Sequence, residues 1–446
     1  MSFKTGFSKI CITPPLGSPI CGYYNERLTK GALDDLYVRA AAFDDGETKA
    51  VILAVDVCLL NKTQCDEYRK MISDFTGIDF NNVFITCSHT HTGPVIGKDF
   101  ASPLETIPAY LEYFKICLRD ASAYAIADLT ESEIYKAEGQ AKNVSFIRRF
   151  RMKDGSVKTN PGIGSDIDHP LGEPNETVKL LKIKRKGKND LFMVNFGTHP
   201  DSVGGDYISA DYPGYVCEAV EGALKNTDCM FLLAPQGDVN HINPFPTKGE
   251  SAIAKIDFDS VPRSIELAKH MGRVIAGAVL SVCTIAEKIE GGKISSASSI
   301  VTIPSHQENH RLPEARKITE LYDSGRANEL PYKEMELTTK VAEARRIVRL
   351  ENGPESYSFC LSAIKIGDFV FAGIPGEPFT DIANRIYDGS PFETTILCCL
   401  ANGGESYFPT TKAYSEGGYE AGTSSLAPGG DDIIVNGMVN LLKELD

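Results

Sequence analysis

Eight histidines occur in 446 residues, so their placement is informative. Two stand in Ser88–His89–Thr90–His91–Thr92–Gly93–Pro94, directly after the apolar stretch Val83–Cys87, which reads as a strand. Residues two apart in extended backbone face the same way, so His89 and His91 can enter one cavity before Gly93–Pro94 breaks the strand. Neutral imidazole suits zinc, and a pair on one rigid piece of chain suits it better; two core or surface histidines would show the same spacing. His199, in Asn195–Phe196–Gly197–Thr198–His199–Pro200, ends a second apolar strand. Glu377 lies in Pro375–Gly376–Glu377–Pro378–Phe379, where the prolines stiffen the backbone and hold the carboxylate in one direction. Singly, His199 reads as structural and Glu377 as a solvated loop carboxylate. Together, three strand exits offering histidine and glutamate match a catalytic metal site, which keeps about three protein ligands and one open position.

Two further segments carry polar chemistry. Gln236–Gly237–Asp238–Val239–Asn240–His241 follows the apolar strand Cys229–Ala234, and His241 there is either a metal or substrate contact or a structural residue. The stretch from Asn402 to Thr411 contains Tyr407, with Tyr414 and Tyr419 beyond it. Loop tyrosines commonly pack, but a buried one near a metal can stabilise an oxyanion. His169, His270, His306 and His310 read as ordinary surface residues. No Gly-x-Ser-x-Gly elbow, P-loop or Gly-x-Gly-x-x-Gly occurs, which leaves serine hydrolase, kinase and dehydrogenase readings without support.

The elements that must position these residues follow from periodicity and turn chemistry. Three hairpins are expected: Leu36–Phe43 with Ala50–Asp56, Val178–Lys184 with Leu191–Phe196, and Phe359–Ile366 with Phe369–Gly373. Each closes on Gly, Asn or Asp. Helices are expected at 63–75, 109–129, 212–224, 264–285 and 431–445. The charged stretch 312–350 reads as solvated helices. The fold class is therefore α/β, with a large mixed β-sheet core flanked by helices. Residues 1–446 are expected to form one unit, since no linker, repeat or low-complexity tract divides them.

Composition excludes several function classes. With 46 Lys plus Arg against 60 Asp plus Glu, the net charge is −14, which argues against nucleic acid as a partner. The only basic stripes are short, as in Arg148–Arg149–Phe150–Arg151. The longest charge-free apolar run, Val274 to Ala286, is shorter than a membrane span and reads as a buried helix. The twelve cysteines contain no Cys-x-x-Cys pair and read as reduced core thiols. No apolar leader follows Met1–Ser2–Phe3–Lys4–Thr5, so a cytoplasmic location is expected, or secretion if a leader was removed. The sequence leaves the oligomeric state open.

Several segments, in order and across nearly the whole chain, resemble the neutral (alkaline, non-lysosomal) ceramidase family. They are Gly6–Phe7–Ser8 through Ile12–Thr13–Pro14–Pro15, Gly22–Tyr23, Asp35–Leu36–Tyr37–Val38–Arg39–Ala40, and the two histidine segments above. Ile208–Ser209–Ala210–Asp211–Tyr212–Pro213–Gly214, Gln236–Gly237–Asp238–Val239, Pro375–Gly376–Glu377–Pro378, Tyr407, Thr410–Thr411 and Tyr419 complete the set. The resemblance implies a neutral-ceramidase-like catalytic domain, without the further C-terminal β-sandwich of typical members. It implies a Zn2+ amidohydrolase of the kind that serves sphingolipid metabolism, cleaving an N-acyl amide by metal-activated water. His89, His199, Glu377 and Tyr407 fall on the zinc ligands. His91 and Tyr419 fall beside the scissile amide, and Arg148 falls against a substrate-contacting arginine. Asn240 stands where the family usually has Ser. An amide is no acyl-accepting nucleophile, whereas a zinc-activated water needs none. The expected partner is a small-molecule or lipid-like amide. The alternatives are a metallohydrolase of a small soluble amide, ester or sugar derivative, and a non-catalytic metal-binding relative.

Overall fold

The computed structural model describes residues 3–97, 104–257, 259 and 261–446. Two mixed sheets dominate it. The larger runs in the order Thr227–Leu233, Asp190–Phe196, Thr177–Arg185, Thr130–Gln140, Lys4–Cys11, Tyr37–Asp44, Lys49–Val55, Val83–Cys87, with Glu287–Ile289 also paired to Thr130–Gln140. The smaller runs Ile294–Pro304, Ser356–Ile366, Phe369–Gly373, Thr394–Cys398.

Period-two alternation sorts the side chains into layers. Along Lys49–Val55, Val51, Leu53 and Val55 join one core, while Ala50, Ile52 and Ala54 join another. The first core is covered by helices Lys62–Thr76, Pro108–Ala127, Asp211–Ala223 and Ile265–Val282. The second lies between the sheets, where Phe43, Ile52 and Phe84 meet Ile364, Phe369 and Phe371. The outer face of the smaller sheet, including Leu361, Val370 and Ala372, packs on helices Thr380–Gly389 and Gly430–Leu445. The architecture is thus helix, sheet, sheet, helix. The central strands, such as Lys49–Val55 and Phe369–Gly373, are apolar on both faces because both faces are covered.

Polar side chains stitch the sheets together at one end. Asn195 Nδ2 donates to the carbonyls of Leu232 and Leu397 at 3.0 and 3.1 Å. Thr86 Oγ1 donates to Cys399 O at 2.9 Å, and the Asn402 side chain accepts from Ile85 N at 3.0 Å. Here the parallel pairs Lys49–Val55 with Val83–Cys87, Asp190–Phe196 with Thr227–Leu233, and Phe369–Gly373 with Thr394–Cys398 all present their C-terminal ends.

Two expectations need correction. The stretch 312–350 forms two helices, Leu312–Asp323 and Glu334–Leu350, that are more than solvated. Ala315, Ile318, Val341, Ala344 and Ile347 make a separate small core, and Arg346 is buried against Glu308 and the carbonyls of His306 and Gly422. His306 is half-buried, edge-on to Tyr414. The apolar run from Val274, read as a buried helix, falls largely in helix Ile265–Val282, which buries one face only. Among the described residues no helix is long and apolar enough to cross a membrane. None of the twelve cysteines forms a disulfide, and ten are buried.

Candidate metal centre

His89 and His91 do converge, by a different backbone than an extended strand provides. His89 has φ 64°, in the left-handed region that a branched or bulky residue rarely adopts. Its amide donates to Val57 O at 3.0 Å and that of Ser88 to Val55 O at 2.9 Å, so the neighbouring strand exit holds the kink. Backbone strain of this kind gathers at functional sites. His199 is placed by a bond from its amide to Val239 O at 3.2 Å. Glu377 is placed by a two-residue parallel pairing with Tyr407, and by Gly237, whose amide donates to Pro378 O at 2.9 Å. A Cβ at position 237 would stand 2.4 Å from Glu377 O, so only glycine permits this approach.

The hydrogen bonds around these residues fix their protons. His89 Nδ1 lies 2.7 Å from Cys58 O, and a carbonyl only accepts, so Nδ1 carries the hydrogen and Nε2 a lone pair. Gln236 lies between His199 and Glu377. Its Nε2 is 3.1 Å from Glu377 Oε2, which as a carboxylate must accept; its Oε1 therefore faces His199 Nδ1 and accepts from it. His199 Nε2 is then also a lone pair. These two nitrogens and the carboxylate point inward together. His89 Nε2 is 3.3 Å from Glu377 Oε2, while His91 Nε2 is 3.0 Å from His199 Nε2 and 3.4 Å from His89 Nε2. Such a concentration of acceptors calls for a cation at its centre.

The titration tendencies agree. Burial, then Arg148 and His89, hold the His199 imidazole well below its ordinary range. Burial works against charging His89, but the Glu377 carboxylate outweighs it and lifts that imidazole. Glu377 itself is held below its usual range: burial would raise it, but His89, Gln236 and Arg148 prevail. His89, His199 and Glu377 place one donor atom each within 4.8 Å of one another, as do Cys58, His89 and His91. The first set fits a metal better. The Cys58 thiol is pushed well above its usual range by Cys21 and by burial, and a thiolate is the form that ligates. Two imidazoles, each with its second nitrogen bonded outward, and a carboxylate form a donor set suited to zinc.

The remaining expected residues lie at different removes. Tyr407 sits beside Glu377 across the strand pairing, with the Arg148 guanidinium 5.4 Å from its ring centre. Arg148 is ion-paired to the fully buried Glu420 at 2.6 Å and donates to Gly237 O at 2.8 Å. Tyr419 meets Tyr407 edge-on at 5.9 Å, and its hydroxyl is 3.2 Å from that of Tyr24. Asn240 is buried with its amide engaged elsewhere, donating to Asn160 Oδ1 at 2.8 Å and accepting from Ile242 N at 3.0 Å. His241 lies apart from the cluster, with Nε2 on Pro262 O at 2.8 Å; burial draws its imidazole down to about 4.

No protein-family model matches the chain, and no curated protein does. Solved structures do, two ceramidases among them. One is a ceramidase complexed with C2, at 15% identity and TM-score 0.71. The other is the neutral ceramidase from Pseudomonas aeruginosa, at 16% identity and TM-score 0.71. In both, the likeness covers 100% of this chain and 75% of the other. The fold is neutral-ceramidase-like. The mixed α/β architecture expected from the sequence is that of this ceramidase-like fold.

Within it, sequence reasoning missed a second group of residues around His91. Asp201 accepts from Arg263 at 2.9 and 2.7 Å and from the Tyr23 hydroxyl. Burial would raise this carboxyl, but Arg263 and His91 hold it far below its usual range. Arg27 stacks 4.0 Å over Tyr23 and donates to His91 O at 2.7 Å. Gly22, at φ 115°, leaves room for the His91 ring, since a Cβ there would stand 2.8 Å from His91 Cβ. The aspartate two places beyond His199 was the available signal.

Proposed function

We propose that the chain is a zinc-dependent hydrolase that cleaves an N-acyl amide, with both sheets acting as one catalytic unit. The observation that carries this reading is the convergence of two imidazole lone pairs and the Glu377 carboxylate. His89, His199 and Glu377, with Tyr407 beside them, would hold the metal. A bound zinc supplies Lewis acidity to a carbonyl and makes an adjacent water acidic near neutral pH. His91 carries a proton to the leaving amine; burial draws its imidazole down to about 3, so it starts neutral. Tyr419, backed by Tyr24, donates to the developing oxyanion. Arg148 holds Tyr407 in place from the Glu420 side. Asn240 offers no acyl-accepting oxygen, so water is the nucleophile. Twelve cysteines without a disulfide fit a reducing compartment such as the cytoplasm.

The charged wall beside His91, with Asp201, Arg263 and Arg27, favours a small soluble amide over a lipid such as ceramide as the substrate. Metal analysis and a panel of short-chain and long-chain N-acyl substrates test both readings. The expected results are about one equivalent of zinc, lost in the His89→Ala plus His199→Ala variant, and turnover of the short, polar amides first. Zinc content unaffected by that double substitution would sink the metal centre. Retained zinc with no turnover of any amide would leave a metal-binding protein only.

A further inference from the structure

Among the described residues, His91 is the one cluster histidine whose second nitrogen has no hydrogen bond. Its Nδ1 is buried and unpartnered, with Asp201 Oδ1 3.7 Å away. A hydrogen bond needs about 2.9 Å, so a shift of under an ångström would close the pair. The groups around this gap are tied down by hydrogen bonds. Arg263 grips Asp201 through two nitrogens and is itself held by Asp259 at 2.6 and 2.9 Å. Tyr23 bonds the same carboxylate and packs edge-on to the His91 ring at 5.6 Å. The His91 amide donates to Pro200 O at 3.2 Å, and its carbonyl accepts from Arg27. An anion is thus fixed against one edge of a ring whose other edge faces the cluster.

We propose that Asp201 is the positioning residue for His91. It holds the imidazole hydrogen on Nδ1, so that Nε2 turns its lone pair toward the centre made by His89, His199 and Glu377. The physical reason is that an anion beside Nδ1 repels a lone pair there and favours N–H. The alternative tautomer would donate from His91 Nε2 to His199 Nε2 at 3.0 Å and leave two acceptors facing each other at Nδ1. With Nδ1–H fixed, His91 Nε2 can receive a proton and pass it on, while Arg263, Asp259 and Tyr23 keep Asp201 from turning away. The catalytic consequence rests on the hydrolase reading above; the tautomer does not.

The experiment is nuclear magnetic resonance of the imidazole nitrogens in 15N-histidine-labelled, zinc-loaded protein, with His91 assigned from His91→Gln. The expected result is Nδ1–H at His91 in the wild type, lost or mixed in Asp201→Asn and restored in Asp201→Glu. Asp201→Asn should keep its zinc, and on any amide the wild type cleaves it should lose kcat about 10- to 100-fold with little change in KM, the scale of lost outer-shell partners. Nε2–H at His91 in the wild type overturns the proposal without recourse to any variant. So does an Asp201→Asn protein with unchanged tautomer and kcat. A wild type that cleaves no amide yet shows Nδ1–H at His91 defeats the functional reading and leaves the positioning role standing.

Discussion

Gln236 is a single amide that serves two of the candidate ligands, so its replacement by leucine is a sharp test of the centre. Leucine has similar volume and no polar atoms. The substitution removes the acceptor from His199 Nδ1–H and the donor at 3.1 Å from Glu377 Oε2. Both partners are nearly excluded from water, at 2% and 9% exposure, so neither finds a substitute easily. Each unsatisfied buried group costs about 1–3 kcal/mol. Part of that cost falls on the metal-free protein, where the His199 ring can move its hydrogen to Nε2 and relax. Binding a metal demands the lone pair back at Nε2, and so the loss reappears in affinity. Outer-shell partners of this kind are worth about 10- to 100-fold in metal affinity, or about 1.4–2.8 kcal/mol. Competition with a chromophoric zinc chelator measures it directly, and circular dichroism confirms that the variant is folded. A folded Gln236→Leu protein whose zinc affinity lies within twofold of wild type would refute the assignment of His199 and Glu377 to one metal.

Three other perturbations follow from the same structure. Glu420→Ala leaves Arg148 buried without its 2.6 Å partner, at a cost of about 3–5 kcal/mol in urea denaturation; Arg149 keeps Glu416 at 3.1 Å. His241 is buried with its imidazole drawn to about 4, below the ordinary 6.5. Below pH 6.5 the unfolded chain therefore binds the proton first, and stability present above that pH is lost as pH falls toward 4. By pH 5 the loss is about 2 kcal/mol, so His241→Asn should show a shallower fall in stability between pH 7 and pH 5 than wild type. Gly22→Ala forces a Cβ to 2.8 Å from His91 at a φ that disfavours it. The expected destabilisation is about 1–3 kcal/mol, checked by denaturant midpoint, together with a fall in amide turnover.

Much of the site could be read from the sequence because its residues sit where apolar runs stop. His89, His199 and Glu377 each follow a strand that ends in Gly, Pro or a hydroxyl residue, and such exits are where polar side chains can face one another. The hairpins were legible for a related reason: paired apolar runs closed by turns rich in Gly, Asn or Asp. The two-sheet arrangement was not, since strands covered on both faces give continuous apolar runs that do not say which layer they belong to. The convergence of His89 with His91 was anticipated by the wrong backbone, because a left-handed histidine depends on Val55 and Val57 at the exit of another strand. Gln236 and Asp201 escaped notice as individuals. A glutamine and an aspartate are ordinary loop residues until the protons of their histidine neighbours have to be accounted for. The helices of 312–350 hid a core because five small or branched side chains are enough to bury a face among many charges.

The donors come from opposite sides of the inter-sheet seam, and positions 89 and 377 are joined by most of the chain. Bringing them together is a long loop closure, affordable only after the sheets have docked through Phe43, Phe84 and Phe371. A cation captured there would act as a latch on assembly. It would bind weakly to any chain whose two halves had not yet met, and once bound it would slow their parting, so metal loading would report on completion of folding as much as on chemistry.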